Sequence, residues 1–509
     1  MKRYTRYWLA FFLLAYLTSC GELNYEPSLD DAAPCNQVTP WTKRSNGVVD
    51  AETCNFPLSE LSENMPISKL LDIALFNNPR TQVNWQAARA AAFALRASYS
   101  SYYPTVTWTE TLEVANDTIG RGNTLGVGVT TTTSGITTAS TSTTVGTLTT
   151  EFVFNYLLFD FGGRSSQVEY AAGVLFAANW QHNLDIQQVL LTVLTAYTSY
   201  LGNQGLVEAN RLDLKDAEEA LRAAEKMFEA GLATRTDVLQ AKAVKSQKEL
   251  ALIQSEGAES TSLGQLAVAI GLPPQTKLSV ENLPQKLPVA ESSGGIAELF
   301  ELAKKKRPDL GIATAAIKEQ EAQLGIAYSA SMPTMSAIGL MNHTHFIHSP
   351  ILDGHLNVIG LQINAPVFQG FYYVNQQKQI RAQIAEAVAA LNLQVTQVAL
   401  DIVSSYYTLK TAEASIPETL DFLDYSQRAF DGIIIQYKVG ASSFLDVTNA
   451  LTVLSDARAA VVTARTNWAL ARATLAFSVG ILNDTDLQEA ALKSKKEIDI
   501  DAKMNVKKG

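Results

Sequence analysis

The sequence predicts an α+β membrane protein in which very long helices carry a small antiparallel sheet. Three observations predict it. Two stretches of about 65 residues, 164–229 and 371–438, contain a single proline, Pro417, and repeat apolar residues at helical spacing. Four shorter stretches alternate apolar residues with Thr, Asn and Gln at period two. The chain also matches itself at a fixed offset over long spans.

Composition narrows the class. The 509 residues are 47% hydrophobic and 18% charged, with formal net charge −10 and three cysteines. That is too apolar for a disordered chain, too poor in cysteine for a disulfide scaffold, and too acidic to hold nucleic acid through its phosphates. The N-terminus reads as an export signal. Lys2, Arg3 and Arg6 precede ten apolar residues, 8–17, too few to cross a bilayer. The run ends Leu17-Thr18-Ser19-Cys20, which resembles the cleavage and lipidation pattern of bacterial lipoproteins. Residues 1–19 are thus expected to be removed and Cys20 lipidated, taking the net charge from −10 to −13. No later stretch offers about 18 continuous apolar residues for a transmembrane helix. Residues 20–66 read as a lipid-anchored linker. In an oxidising compartment Cys35 and Cys54 can form a disulfide; two free thiols are the alternative.

The repeats span 67–283 and 296–482. Leu70 to Pro79 aligns with Leu299 to Pro308, and Tyr99 and Pro104 align with Tyr328 and Pro333. After a shift of about 20 residues, Asn155, Phe159, Tyr197, Gly231, Asp237 and Gly271 align with Asn364, Phe368, Tyr406, Gly440, Asp446 and Gly480.

Each repeat opens with a helical segment ending at Pro104 or Pro333. Strands are expected at about 105–116, 147–160, 334–345 and 356–368. In the first, Val106, Trp108, Leu112 and Val114 share a face, with Glu110 the exception, and four threonines and Glu113 take the other. In the second, Phe152, Phe154 and Tyr156 oppose Glu151 and Asn155; the third alternates weakly; in the fourth, Ile359, Leu361 and Ile363 oppose Gln362 and Asn364. This pattern fits strands between a greasy and a wet surface. Four strands cannot close a membrane sheet, and the smallest outer-membrane barrels need about eight, so two or three copies would have to share one barrel. The long helical segments would each reach about 100 Å. Their apolar stripes are Ile186, Val189, Val193 and Tyr197, and Val395, Val398, Ile402 and Tyr406. Gly202, Gly205 and Gly432 read as local breaks and Pro417 as a kink. The Thr-rich segment 116–147 reads as a long extracellular loop or a continuation of the strands. The tail 483–509 reads as charged and disordered.

No Gly-x-Ser-x-Gly, His-Glu-x-x-His or Gly-x4-Gly-Lys-Ser/Thr occurs, so no enzyme and no cofactor is expected. His343, His345, His348 and His355 cluster in the second hairpin. They are read as a surface loop and not a metal site, because no cysteine joins them.

The duplicated prolines, the strand exit Leu158-Phe159-Asp160-Phe161-Gly162-Gly163-Arg164, its counterpart Pro366 to Gly370, and the paired Gly-x5-Asp-Val turns together resemble the TolC-like outer-membrane efflux channels, in their lipoprotein branch. The resemblance covers 67–482. It implies a homotrimer whose twelve strands form one barrel in the outer membrane of a Gram-negative bacterium. That barrel would continue as a helical coiled-coil tunnel spanning the periplasm, docked to a periplasmic adaptor and an inner-membrane transporter. It implies a gate at the turns after the long helices. Asp446 and Tyr437 match the family's constricting turn, and Asp237 matches a partner. Ser442 replaces a linking Arg, and Asn449 replaces a second Asp. Gly231 and Gly440 mark turns that also meet the adaptor. Helix capping by Asp237 and Asp446 is an equal reading of the same residues. The rival function is a lipid-anchored structural or adaptor coiled-coil lipoprotein without a channel.

Overall fold

The computed structural model describes residues 65–119, 141–276, 278–281, 295–347 and 353–482. The signal peptide, Cys20, Cys35, Cys54, nearly all of the linker, the centre of the Thr-rich segment, His348 and the tail lie outside them.

Helices α1 (Ile67–Asn77) and α2 (Pro79–Ser98) lead through a 3-10 turn into β1 (Thr105–Ile119) and β2 (Thr141–Phe159). Helices α3 (Gly163–Glu229) and α4 (Arg235–Ala269) close the first half. The order then repeats as α5 (Ile296–Lys306), α6 (Pro308–Ser329), β3 (Thr334–Ile347), β4 (Gly354–Asn364), α7 (Tyr372–Lys438) and α8 (Phe444–Val479). Counterparts match in length: α1 and α5 have 11 residues each, α3 and α7 have 67 each, and α4 and α8 have 35 and 36. Both short pairs break at a proline. Pro79 and Pro308 suit a first helical turn but force the preceding residue out of the helix, and Asn78 and Arg307 sit at ψ 123° and 122°.

Three expectations need correction. The fourth strand ends at Asn364, not near 368. Its partner β3 begins only at Thr334, behind Pro333, so later residues have no strand to pair with. Strands β1 and β2 run past their expected ends near 116 and 147, pairing as far as Ile119 and Thr141, so the Thr-rich segment continues the strands, the second of the two readings given for it; threonine suits a pleated surface. The long helices run unbroken through Gly202, Gly205 and Gly432, and Pro417 lies inside the second of them. Gly202 and Gly205 are contact points: a Cβ there would meet Thr466 at 2.9 Å or Val462 at 3.0 Å on α8.

The chain divides into two compact units. One holds residues 93–174 and 316–387, and with them the whole sheet. Its order is β1-β2-β3-β4, antiparallel throughout. The register lines up Val106, Phe154, Gly339 and Ile359, then Trp108, Phe152 and Met341, on one face. That face is bare: Val106 is 66% exposed and Ile359 95%. Glu110 is not isolated on it. It shares a polar row with Thr150, His343 and His355, and the Thr150 hydroxyl donates to its carboxylate at 2.9 Å. The opposite face is mixed: Val153, Leu340 and Val358 line up on it beside a polar row and the threonines of β1. Asn342 donates to Glu151 at 3.3 Å, and the hydroxyls of Thr149 and Thr344 meet at 3.4 Å. The ladder slips at Leu157/Phe159. There Arg164 satisfies the freed carbonyls, donating to Leu157 at 2.8 Å and Leu158 at 3.2 Å.

The other unit holds the described residues below 93, 175–315 and 388–482. Ile186, Val189, Val193 and Tyr197 are buried against residues of α1 and α4. Val398 and Ile402 repeat that packing against Ala303, Leu310 and Val479. Each fully buried aliphatic contributes about 1.5–3 kcal/mol. Val395 and Tyr406 stay partly exposed.

Candidate functional site

The site is built at the two turns that follow the long helices, both in the helical unit. Helix α3 ends where Gly231 takes φ 74°, which closes a bond from the Leu232 N–H to the Met227 carbonyl at 2.9 Å. Helix α7 ends the same way. Gly440 sits at φ 76°, and the Ala441 N–H bonds the Gln436 carbonyl at 2.8 Å. Each new helix then starts with a capping box. The Asp237 carboxylate accepts from the Thr234 N–H at 2.8 Å and from its hydroxyl at 2.9 Å. The Asp446 carboxylate accepts from the Ser443 N–H at 2.9 Å and from its hydroxyl at 2.7 Å. These bonds satisfy N–H groups that a helix start otherwise leaves open. The same contacts, the hydroxyl first, hold the Asp446 carboxyl below the usual carboxylate range. Asp446 nevertheless remains exposed and charged, while Asp237 is half-buried.

Among the described residues of one chain, no hydrogen bond joins Tyr437 to Asp237. It is buried, its ring meets Phe444 edge-on at 5.6 Å, and it belongs to a core with Met227, Val447 and Leu451. Its hydroxyl has no hydrogen-bond partner among the described residues. Burial, and then the negative charge of Asp237, push its pKa up. Ser442 donates to the Ile433 carbonyl at 3.3 Å, so it fastens its own turn. Asn449 is exposed.

Sequence reasoning missed two features. Thr234 and Ser443 as caps were visible in the Thr-x-x-Asp and Ser-x-x-Asp spacing. The other is a charged clasp across four helices. Arg458 of α8 meets Asp213 at 2.7 Å and Asp216 at 2.8 Å on α3, and donates to Gln427 of α7 at 3.0 Å. Lys248 of α4 reaches Asp213 at 3.5 Å and Ser455 of α8 at 2.6 Å. Burial raises the Asp216 pKa despite Arg458. No sequence signal separates these charges from the solvated ones around them.

Among the described residues no three His, Cys, Asp or Glu side chains gather as a metal site. His345 pairs instead with Asp353 at 2.8 Å, in the exposed second hairpin.

Comparison with known proteins gives a consistent picture. A family model described as outer membrane efflux protein matches residues 70–272 and 299–481. Protein CyaE of Bordetella pertussis is 23% identical over 399 residues, covering 77% of this chain and 79% of its own. Outer membrane efflux protein BepC of Brucella suis is 26% identical over 327 residues, covering 64% and 70%. The solved outer membrane protein VceC of Vibrio cholerae superposes with TM-score 0.68 at 18% identity, covering 81% of this chain and 96% of its own.

Proposed function

From the premise that the chain belongs to the outer membrane efflux protein family, we propose that it is the outer-membrane exit duct of a tripartite efflux or secretion system. One observation carries the reading. The four-stranded sheet has a largely apolar, exposed face, an opposite face on which polar side chains are interspersed with apolar ones, and two unpaired edge strands, β1 and β4. In lipid such edges must be closed. Three copies pairing β1 to β4 give a closed barrel of twelve strands, an even number of the kind such barrels use. The polar row at Glu110, Thr150, His343 and His355 interrupts the apolar face, which resumes with Leu112 and Leu148. Helix α7 supports assembly too. Over 18 residues it is apolar enough to pass for a membrane span, yet only 11% of that window is buried within the chain.

In this reading the helices of three copies line a water-filled path, and Cys20 adds a lipid anchor. The Gly231 and Gly440 turns form the tip that meets a periplasmic adaptor, behind which an inner-membrane transporter supplies energy. Asp446, exposed at each turn, rings the entrance, with Asp237, Tyr437 and Asn449 behind it. Because Tyr437 is a core residue and Ser442 binds its own turn, the closed tip is held by apolar packing and the charged clasp more than by links between turns. The duct passes substrate without converting it.

The test is planar-bilayer conductance of the detergent-extracted mature protein, with its oligomer mass measured in parallel. Discrete steps from a trimer support the duct. A non-conducting monomer that leaves the membrane when Cys20 is unlipidated would instead support a coiled-coil lipoprotein. Asp446→Ala is expected to raise cation conductance; unchanged conductance counts against the aspartate ring.

A further inference from the structure

The geometry points to a metal site on the second hairpin: His343 of β3 and His355 of β4 hold one late first-row divalent cation, of the class of Cu²⁺, Ni²⁺ and Zn²⁺, as a two-imidazole chelate. Four of the chain's five histidines fall between 343 and 355, and a short histidine-rich tract is a metal-binding composition. The register turns that tract into a geometry. His343 and His355 lie directly opposite each other in the β3–β4 ladder. Opposite residues share a face, with Cβ atoms about 4.5–5.5 Å apart. Two imidazoles so placed can turn their ring nitrogens onto one ion at the usual metal–nitrogen distance of about 2.0–2.1 Å.

The surroundings single out this pair. His345 stands two residues along on the same face, but its Nδ1 is engaged by the Asp353 carboxylate at 2.8 Å. Glu110, in the same row as the pair, accepts the Thr150 hydroxyl at 2.9 Å. His343 and His355 are exposed, and neither ring has a hydrogen bond or ion pair among the described residues. Both rings are free to turn, and a neutral imidazole carries a lone pair on one ring nitrogen. The lack of a cysteine speaks against a closed structural site, and no three ligating side chains gather among the described residues. An open chelate needs neither: two ring nitrogens hold the ion and water completes its coordination. Imidazole suits copper, nickel and zinc, whereas magnesium and calcium take oxygen ligands. Bound across the ladder, the ion clips β3 to β4 close to their hairpin end. The site lies within one hairpin of one chain, so it stands or falls apart from the duct.

The test is a calorimetric titration of Cu²⁺ into the full-length, detergent-solubilised protein, purified without a histidine tag. One ion is expected per chain, with electron paramagnetic resonance showing two imidazole nitrogens on the copper. Zn²⁺ and Ni²⁺ should compete for it, and excess Mg²⁺ should not. His343→Gln and His355→Gln should each weaken binding about tenfold or more, and His345→Gln less than about threefold. Bound Cu²⁺ should slow amide exchange in β3 and β4. The substituted side chains are exposed, and circular dichroism with oligomer mass verifies that the variants fold. No binding, binding that survives His343→Gln with His355→Gln, an equal loss from His345→Gln, displacement by Mg²⁺, or unchanged exchange in the two strands overturns the assignment. Bilayer conductance of the same preparations separates the two claims. A conducting channel that binds no copper refutes the site alone, and a copper-binding protein that never conducts refutes the duct alone.

Discussion

Replacing Arg458 by methionine tests whether the clasp holds the four helices together above the tip. The Arg458 side chain is 10% exposed and its partner Asp213 is 3% exposed. Without the guanidinium, the Asp213 carboxylate keeps one cation, Lys248 at 3.5 Å. Breaking a buried pair from one side strands a charge and costs about 3–5 kcal/mol. Removing the Asp213 charge as well lifts the larger part of that penalty, so Asp213→Asn in the Arg458→Met background should recover part of the stability, with Asp216 still lacking its cation. The coupling energy is expected at about 2–3 kcal/mol, the upper range for residues in one network. A urea titration of the detergent-solubilised protein, followed by helical circular dichroism, measures all four corners of the cycle. Hydrogen exchange should show the loss concentrated in the first turns of α8. A single-variant loss below about 1 kcal/mol, or a coupling within about 0.5 kcal/mol of zero, would refute the clasp as a fastening.

Asp216 predicts a pH dependence of definite sign. Burial holds its folded pKa above the ordinary 3.8, so the ionised form is the penalised one, and stability falls as pH rises through the folded value. Asp216→Asn should therefore stabilise at neutral pH, with a gain that fades as pH drops toward 3.8, read by urea midpoints across pH. Thr234→Ala and Ser443→Ala should each lose about 1 kcal/mol of helix-start stability, seen as faster exchange of the first amides of α4 and α8. Tyr437→Phe removes a buried hydroxyl without a partner and should stabilise by up to about 1–3 kcal/mol. A destabilised Phe variant with raised conductance would mean that the hydroxyl links the gate.

The fold was largely legible in the sequence because its elements are long and its patterns simple. Stripes such as Ile186, Val189 and Val193 recur at helical spacing and are buried, and period two in β1 and β4 survives as a two-faced sheet. Strand ends were less legible. The end of β4 depends on where β3 begins, a partner's property that local alternation does not carry. The glycines of α3 misled for a related reason. Without its partner helix in view, Gly202 looks like a weakness, whereas beside Thr466 it is a fitted contact. At the tip, the capping reading of Asp237 and Asp446 is the one their bonds show, and the residues they cap against were not read. Asp237 and Asp446 are tied to Thr234 and Ser443, one turn back along the chain, and Tyr437 faces the core. The clasp was invisible, since a buried Arg458 and a solvated Arg428 differ only in what packs over them.

The matched length of the two long helices places a restriction on how this gene can change. Helices α3 and α7 hold 67 residues each, and their ends are tied side by side through Lys438 and Glu219 and through the core of Met227 and Tyr437. Losing seven residues from one helix alone would shorten it by about 10 Å, enough to pull every one of those partners out of reach. Insertions and deletions in the two halves should therefore be inherited in pairs, as whole turns. Two copies that share a tip are measured by the same ruler.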